Sequence, residues 1–401
     1  MNRRTLLSAL ALMPCVPYAR VLAHETAAHG ADHGNRRAGL AMSAAFAPDG
    51  ALWIVGLNER RQLFVQQSRD EGASWSAPRV IDTKDDVVAA EGENRPKIAF
   101  GPKGWVVISY TQPLAKPFTG EIRMLRSADG GATFSAPFTV HRDRQLITHR
   151  FESIAFDATG ALHTFWIDKR DLEAAQAQGT SGTYAGAAIY RNVSLDGART
   201  FGPDIKLADH TCECCRIALA PAAGGGLAVM WRHVFEGNVR DHAFATVAAG
   251  GKTASGVQRA SFDDWVIDAC PHHGPGLARA ASGGYHAVWF GMRADESAVR
   301  YARLDEHGKP RGDVRVVPDV TAEHADVHSI GSRVAIVWRG FDGTRMRYAA
   351  WISSDEGKTF ERRELGSTEH ESDHPFLVRR RNRLFAIWRT REKTHVERVL
   401  G

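Results

Sequence analysis

Four segments of this chain follow one formula, Ser-x-Asp-x-Gly-x-Ser/Thr-aromatic. They are Ser68-Arg69-Asp70-Glu71-Gly72-Ala73-Ser74-Trp75, Ser127 to Phe134, Ser194 to Phe201 and Ser353 to Phe360. In the third copy Ala198 stands where the glycine would be. Short Ser and Asp side chains bond to nearby backbone N–H groups, and glycine accepts positive φ, so each segment reads as a tight hairpin end. The closing aromatic can anchor that turn on the body beneath. A single copy is an ordinary turn. Four copies in one chain mark a repeat architecture.

A longer pattern runs between these turns. From about residue 40 the chain repeats a short apolar strand, a Gly-containing turn and a second β-rich strand that usually ends in an aromatic. Starts fall near Ser43, Arg95, Arg150, Arg216, His273, His324 and His374, and the second strands end at Val55, Tyr110, Trp166, Trp231, Trp289, Trp338 and Trp388. The spacing is roughly 50–65 residues, the size of a four-stranded propeller blade with its loops. The four turn motifs fall between the last two strands of units one, two, three and six. They resemble the Asp-box (BNR) repeats of the sialidase-like β-propellers. The expected fold is therefore an all-β propeller. The count favours seven blades, whereas the family resemblance favours six. The seventh unit has room for three strands, so a segment near the mature N-terminus is expected to supply its fourth. One helix is expected, over Asp171 to Gln178.

The first residues read as an export signal. Arg3-Arg4 precede an apolar run to Met13 that is too short to span a bilayer. The pair resembles a twin-arginine signal, and Val21-Leu22-Ala23 offers a cleavage site. The expected organisation is a signal peptide at 1–23, a flexible His-containing segment at 24–39 and a propeller at 40–401, in a periplasmic or secreted protein. Three of the charges behind the formal +5 lie in that signal. No basic stripe with interleaved aromatics remains, so nucleic acid is not an expected partner. Neither a membrane span nor a second subunit is expected. The run from Arg379 to Arg383 reads as a solvated turn.

Chemistry is expected where the first strands begin, because those residues converge on one mouth of the channel. They include Glu93 and Arg95; His149, Arg150 and Glu152; Cys212, Glu213, Cys214, Cys215 and Arg216; Asp268, Cys270, His272 and His273; Glu323, His324, Asp326 and His328; and Glu371, Asp373 and His374. Thiolate with imidazole selects copper(I) or zinc. Cys212, Cys214, Cys215, Cys270, His272, His273, His324, His328 and His374 are thus candidate ligands, with copper first and zinc second. An even number of cysteines in an oxidising compartment reads equally as disulfides, so disulfide, metal and mixed uses stay open. His24, His29 and His33 form a further candidate copper site, led by a free amino terminus.

The sialidase resemblance implies three arginines on a substrate carboxylate, a Tyr nucleophile with its Glu, and an Asp acid/base. The first Arg should precede the first Asp box, yet positions 39 to 46 hold none, and Arg95-Pro96 is only a partial echo. The last tyrosine, Tyr348, is placed in mid-strand by the pattern. Arg95, Arg150 and Arg216 could clamp an anion, or pair with Glu93, Glu152 and Glu213. Fold does not carry function, so a metal-binding protein, a glycosidase and a plain binding platform for protein or glycan all remain as readings. Metal binding leads.

Overall fold

The computed structural model describes residues 39–180, 182 and 184–401. Its strands form seven antiparallel sheets in sequence order. They are β1 to β4 (Ser43–Phe46, Leu52–Leu57, Leu63–Ser68, Arg79–Val80), β5 to β8 (Lys97–Phe100, Val106–Pro113, Gly120–Ser127, Phe138–Thr139) and β9 to β12 (His149–Phe156, Leu162–Asp168, Ala187–Ser194, Ile205–Thr211). Next come β13 to β16 (Ala218–Pro221, Leu227–Arg232, His242–Val247, Gln258–Arg259), β17 to β20 (Gly276–Arg279, Tyr285–Arg293, Glu296–Leu304, Pro310–Val316) and β21 to β24 (Ala322–Ile330, Arg333–Phe341, Met346–Ser353, Glu361–Thr368). The last sheet is β25 to β27 (Phe376–Arg380, Arg383–Arg389, Thr394–Leu400). Each sheet is a meander whose first strand touches the first strand of the next, and β25 returns to β1. The result is a seven-bladed β-propeller; the six-bladed alternative does not hold. The expected helix is present as α1, Arg170–Ala177.

One apolar core lies between each neighbouring pair of blades, seven in all among the described residues. The second strands supply the largest side chains. Trp166, Trp231, Trp289, Trp338 and Trp388 are each at most 1% exposed. Four of their indole N–H groups find acceptors: Asp168, Asp263 and Asp319 side chains, and the Asp373 carbonyl. That is how a buried amphipathic ring keeps its polar edge satisfied. The arginines after three of these tryptophans tie one blade to the next. Arg232 donates to the carbonyls of His273 and Phe290, Arg339 to that of Ser372, and Arg389 to that of Leu57. Arg232 is itself fully buried, not paired at the rim.

All four Asp boxes close as one hydrogen-bond pattern. In the second, the Ser127 hydroxyl donates to Asp129 at 2.7 Å, and the Gly131 and Thr133 amides donate to Ser127 and Asp129 at 2.8 and 2.9 Å. Ser68, Ser194 and Ser353 repeat it. Ala198 takes φ +65° to do so. The closing aromatics Trp75, Phe134, Phe201 and Phe360 pack on the cores between blades, as an anchor should.

Blade seven has three strands among the described residues. The segment expected to provide a fourth precedes residue 39 and lies outside them, as do the signal at 1–23 and His24, His29 and His33. The ring closes by side chains: Met42, Leu52, Ile54 and Phe64 pack on Val378, Phe385 and Ile387. Glu71 pairs with Arg380 and Arg383, which flank the β25–β26 turn. No helix among the described residues is long and apolar enough to cross a membrane.

Candidate functional site

The segments leading into the first strands meet on the axis. The clearest case is Glu93, just before β5. Its carboxylate accepts the Gly274 amide at 2.9 Å and the Arg216 amide at 2.9 Å, partners 181 and 123 residues away. The Arg216 guanidinium and the His324 ring each lie 3.7 Å from the same carboxylate. Burial would raise this carboxyl, but His324, the Arg216 charge and the Arg216 amide together hold it well below the usual carboxylate range.

Three imidazoles stack beside it. His273 and His324 have ring centroids 4.2 Å apart, and His324 and His374 3.3 Å apart at an interplanar angle of 13°. His324 sits at a bulge in β21, where pairing with β22 slips between Glu323 and Asp326, and its φ is +50°. A bulge re-aims a side chain. Burial, with the neighbouring rings and arginines, drives His374 well below its ordinary pKa, so its ring is a neutral donor.

The four cysteines form a separate cluster in the core between blades three and four. Cys212 is the hub, with its sulfur 3.7 Å from Cys214, 3.7 Å from Cys215 and 3.9 Å from Cys270. Cys214 and Cys215 are 4.0 Å apart. A disulfide needs about 2.05 Å, so the disulfide reading is corrected: all four are free thiols. Contacts from the other three lower the Cys212 thiol well below its ordinary value. Those same contacts, with burial, raise its neighbours, Cys270 to about 12.

The single Cys/His site expected from the sequence is thus two sites. Cys212, Cys214 and Cys270 form one group of donors within 4.8 Å of each other; Glu93, His324 and His374 form another, and His273, Glu323 and His324 a third. Among the described residues Cys215, His272 and His328 join none of these groups. His328 is four residues along β21 from His324, roughly 13 Å at strand rise, and its Nδ1 takes the Ser329 amide instead.

The arginines are also not as expected. Arg95 pairs through both terminal nitrogens with Asp373 at 2.8 Å, not with Glu93. Glu152 takes Lys97 at 3.5 Å, and Glu213 pairs with Lys169. Arg150 lies over the Phe151 ring, and burial lowers its pKa. Only Arg216 keeps its expected region, against Glu93 rather than Glu213. Arg95, Lys97 and Arg216 line a cavity of about 280 Å³ with Glu93, Asp326 and His374. All three cations there already face a carboxylate. Tyr348 is fully buried in β23, away from any mouth. The sequence signal for Glu93 was its place before β5; nothing local distinguished it from Glu91 or Glu152.

No family model matches the chain, and no curated protein does. Solved structures do match. An ulvan lyase, representing a new family of polysaccharide lyase, aligns over 92% of this chain and 95% of its own, with TM-score 0.55 and 11% identity. A Hadza microbial sialidase covers 84% and 74%, with TM-score 0.51 and 12% identity. An α-L-arabinanase of Penicillium chrysogenum covers 80% and 94%, with TM-score 0.51 and 14% identity. In fold the chain is a β-propeller similar to those of this lyase, this sialidase and this arabinanase. At such identities the likeness is one of backbone, and the propeller's site has to be read from its own residues.

Proposed function

We propose that this propeller is a periplasmic metal-binding protein whose centre is the thiol cluster Cys212, Cys214, Cys215 and Cys270. Copper(I) is the ion it is built for, and zinc is the competitor. The observation that carries the reading is sulfur spacing. Two thiolates at about 2.3 Å from one tetrahedral ion lie about 3.8 Å apart; the Cys212 sulfur stands 3.7 to 3.9 Å from the other three, and Cys212, Cys214 and Cys270 share one group of donors. Soft thiolate donors select copper(I) and zinc over harder ions. A bound ion also accounts for free thiols in an oxidising compartment. A twin-arginine signal, which exports folded proteins, fits a centre assembled before export. His24, His29 and His33 serve in this proposal as a separate cupric capture site.

Carbohydrate chemistry is the second reading, since the neighbours above are a lyase, a sialidase and an arabinanase. Its weakness is internal: the channel cations Arg95 and Arg216 are already engaged, and among the described residues no tyrosine lines the cavity. The test is metal analysis of protein purified anaerobically from copper-supplemented cells. About one equivalent of copper is expected on the four-thiol set, and Cys212→Ser, which removes the hub, should lose it. Less than a tenth of an equivalent of any transition metal would sink the proposal.

A further inference from the structure

We propose that Glu93, His324 and His374 form a second metal site, distinct from the thiol centre, for a borderline divalent cation held by two imidazoles and a carboxylate with an open position facing the channel. It rests on its own geometry and stands whether or not the thiols bind an ion.

Four observations carry it. First, one donor atom from each residue lies within 4.8 Å of the other two. Second, the donors are withdrawn from water, and His374 keeps a ring nitrogen unused. Glu93, His324 and His374 are 6%, 1% and 7% exposed, and the His374 Nδ1 has no hydrogen-bond partner. A buried polar atom without a partner calls for a missing ligand. Third, the carboxylate is oriented from behind: the Gly274 and Arg216 amides fix it at 2.9 Å, as outer partners fix the ligands of metal centres. Fourth, Glu93 and His374 line the axial cavity, which gives a route in and room for a further ligand. The neighbouring group of His273, Glu323 and His324 is a weaker choice, because Arg339 already holds Glu323 at 2.8 Å.

Donor softness separates the two centres. Imidazole and carboxylate suit divalent zinc, cobalt or cupric ion, whereas the thiols select a softer one. Sites of different softness side by side, sharing Glu93's contact with the residue after Cys215, would let one protein hold two kinds of ion.

Cobalt(II) is the probe, because it does not oxidise thiols and its spectrum reports its ligands. Metal-free full-length protein carrying His24→Ala, His29→Ala and His33→Ala, which removes the amino-terminal imidazoles, is titrated with cobalt(II) alone. Two binding events are expected, one with near-ultraviolet sulfur-to-cobalt charge transfer and one with visible bands only. Cys212→Ser should abolish the first and retain the second; His374→Gln should do the reverse. A Cys212→Ser protein that binds no cobalt, or a His374→Gln protein that keeps both events, overturns the second site. Loss of the charge-transfer event alone in this parent protein would overturn the thiol proposal and leave this one intact. Should His374→Gln fail to fold, proton NMR of the cobalt-loaded parent decides. Exchangeable, paramagnetically shifted imidazole N–H signals support the site, and their absence overturns it.

Discussion

Glu93 offers the sharpest test of how the axis is held together. Replacing it by alanine strips the Gly274 and Arg216 amides of their acceptor and leaves the Arg216 charge without its carboxylate. A buried donor left unmet costs about 1–3 kcal/mol, and an uncompensated buried charge about 3–5 kcal/mol. These overlap, because Arg216 also donates to the Pro275 and Ala325 carbonyls. About 4 kcal/mol is the expected loss for Glu93→Ala. Glu93→Gln keeps one carbonyl oxygen for the amides and should lose about 2 kcal/mol. Unfolding entropy of about 2.1 cal/mol/K per residue over roughly 360 residues converts these to falls of about 5 °C and about 3 °C in Tm. Calorimetry of metal-free protein measures them, so loss of a bound ion does not enter. Hydrogen exchange adds a local readout: the Gly274 amide should lose protection in the alanine variant and keep part of it in the glutamine variant. Two variants that melt within 1 °C of the parent, with Gly274 still protected, would refute the reasoning.

Other outcomes follow from the same contacts. Gly357→Ala should destabilise by about 3 kcal/mol, since a Cβ there would sit 1.9 Å from the Tyr301 hydroxyl at φ +81°. Ala198→Gly should stay within about 1 kcal/mol of the parent, because relief at φ +65° offsets the lost methyl; denaturant titration compares the two. Arg389→Ala removes a ring-closing bond to Leu57, should cost about 1–3 kcal/mol, and should raise the protease sensitivity of β25 to β27. Asp157 is held well below the carboxylate range: burial raises it, but Thr159, the Gly250 amide and His163 more than offset that. A depressed carboxyl stabilises fully above its unfolded value of about 4 and loses that stability progressively as pH falls from there through its lower folded value. Melting temperatures of the parent and Asp157→Asn should therefore differ at pH 6 and converge toward pH 2.

Much of the architecture was legible along the chain because its determinants are local. An Asp box is closed by bonds between residues two and four apart, as Ser127, Asp129, Gly131 and Thr133 illustrate. Recurrence of strand starts then gave seven blades where the family resemblance argued for six. It also marked Cys212 to Arg216, Cys270 to His273 and His374 as neighbours on an axis.

Partners across the axis were not legible. Arg95 was paired on paper with nearby Glu93, yet it takes Asp373, 278 residues away. The thiols and imidazoles were expected in one cluster, yet Cys270 packs on the core of blades three and four while His324 stacks on His374 beside Glu93. His328 shares a strand with His324 and still falls outside. Alternation and turn chemistry depend on a few adjacent residues, so the chain itself dictated a ring of β-blades and the ends from which functional side chains project. Which charge meets which, and which donors share an ion, depends on a bulge at His324 and on seven inter-blade packings. Only closure of the whole ring determines those, because the contacts join residues that have no local reason to meet.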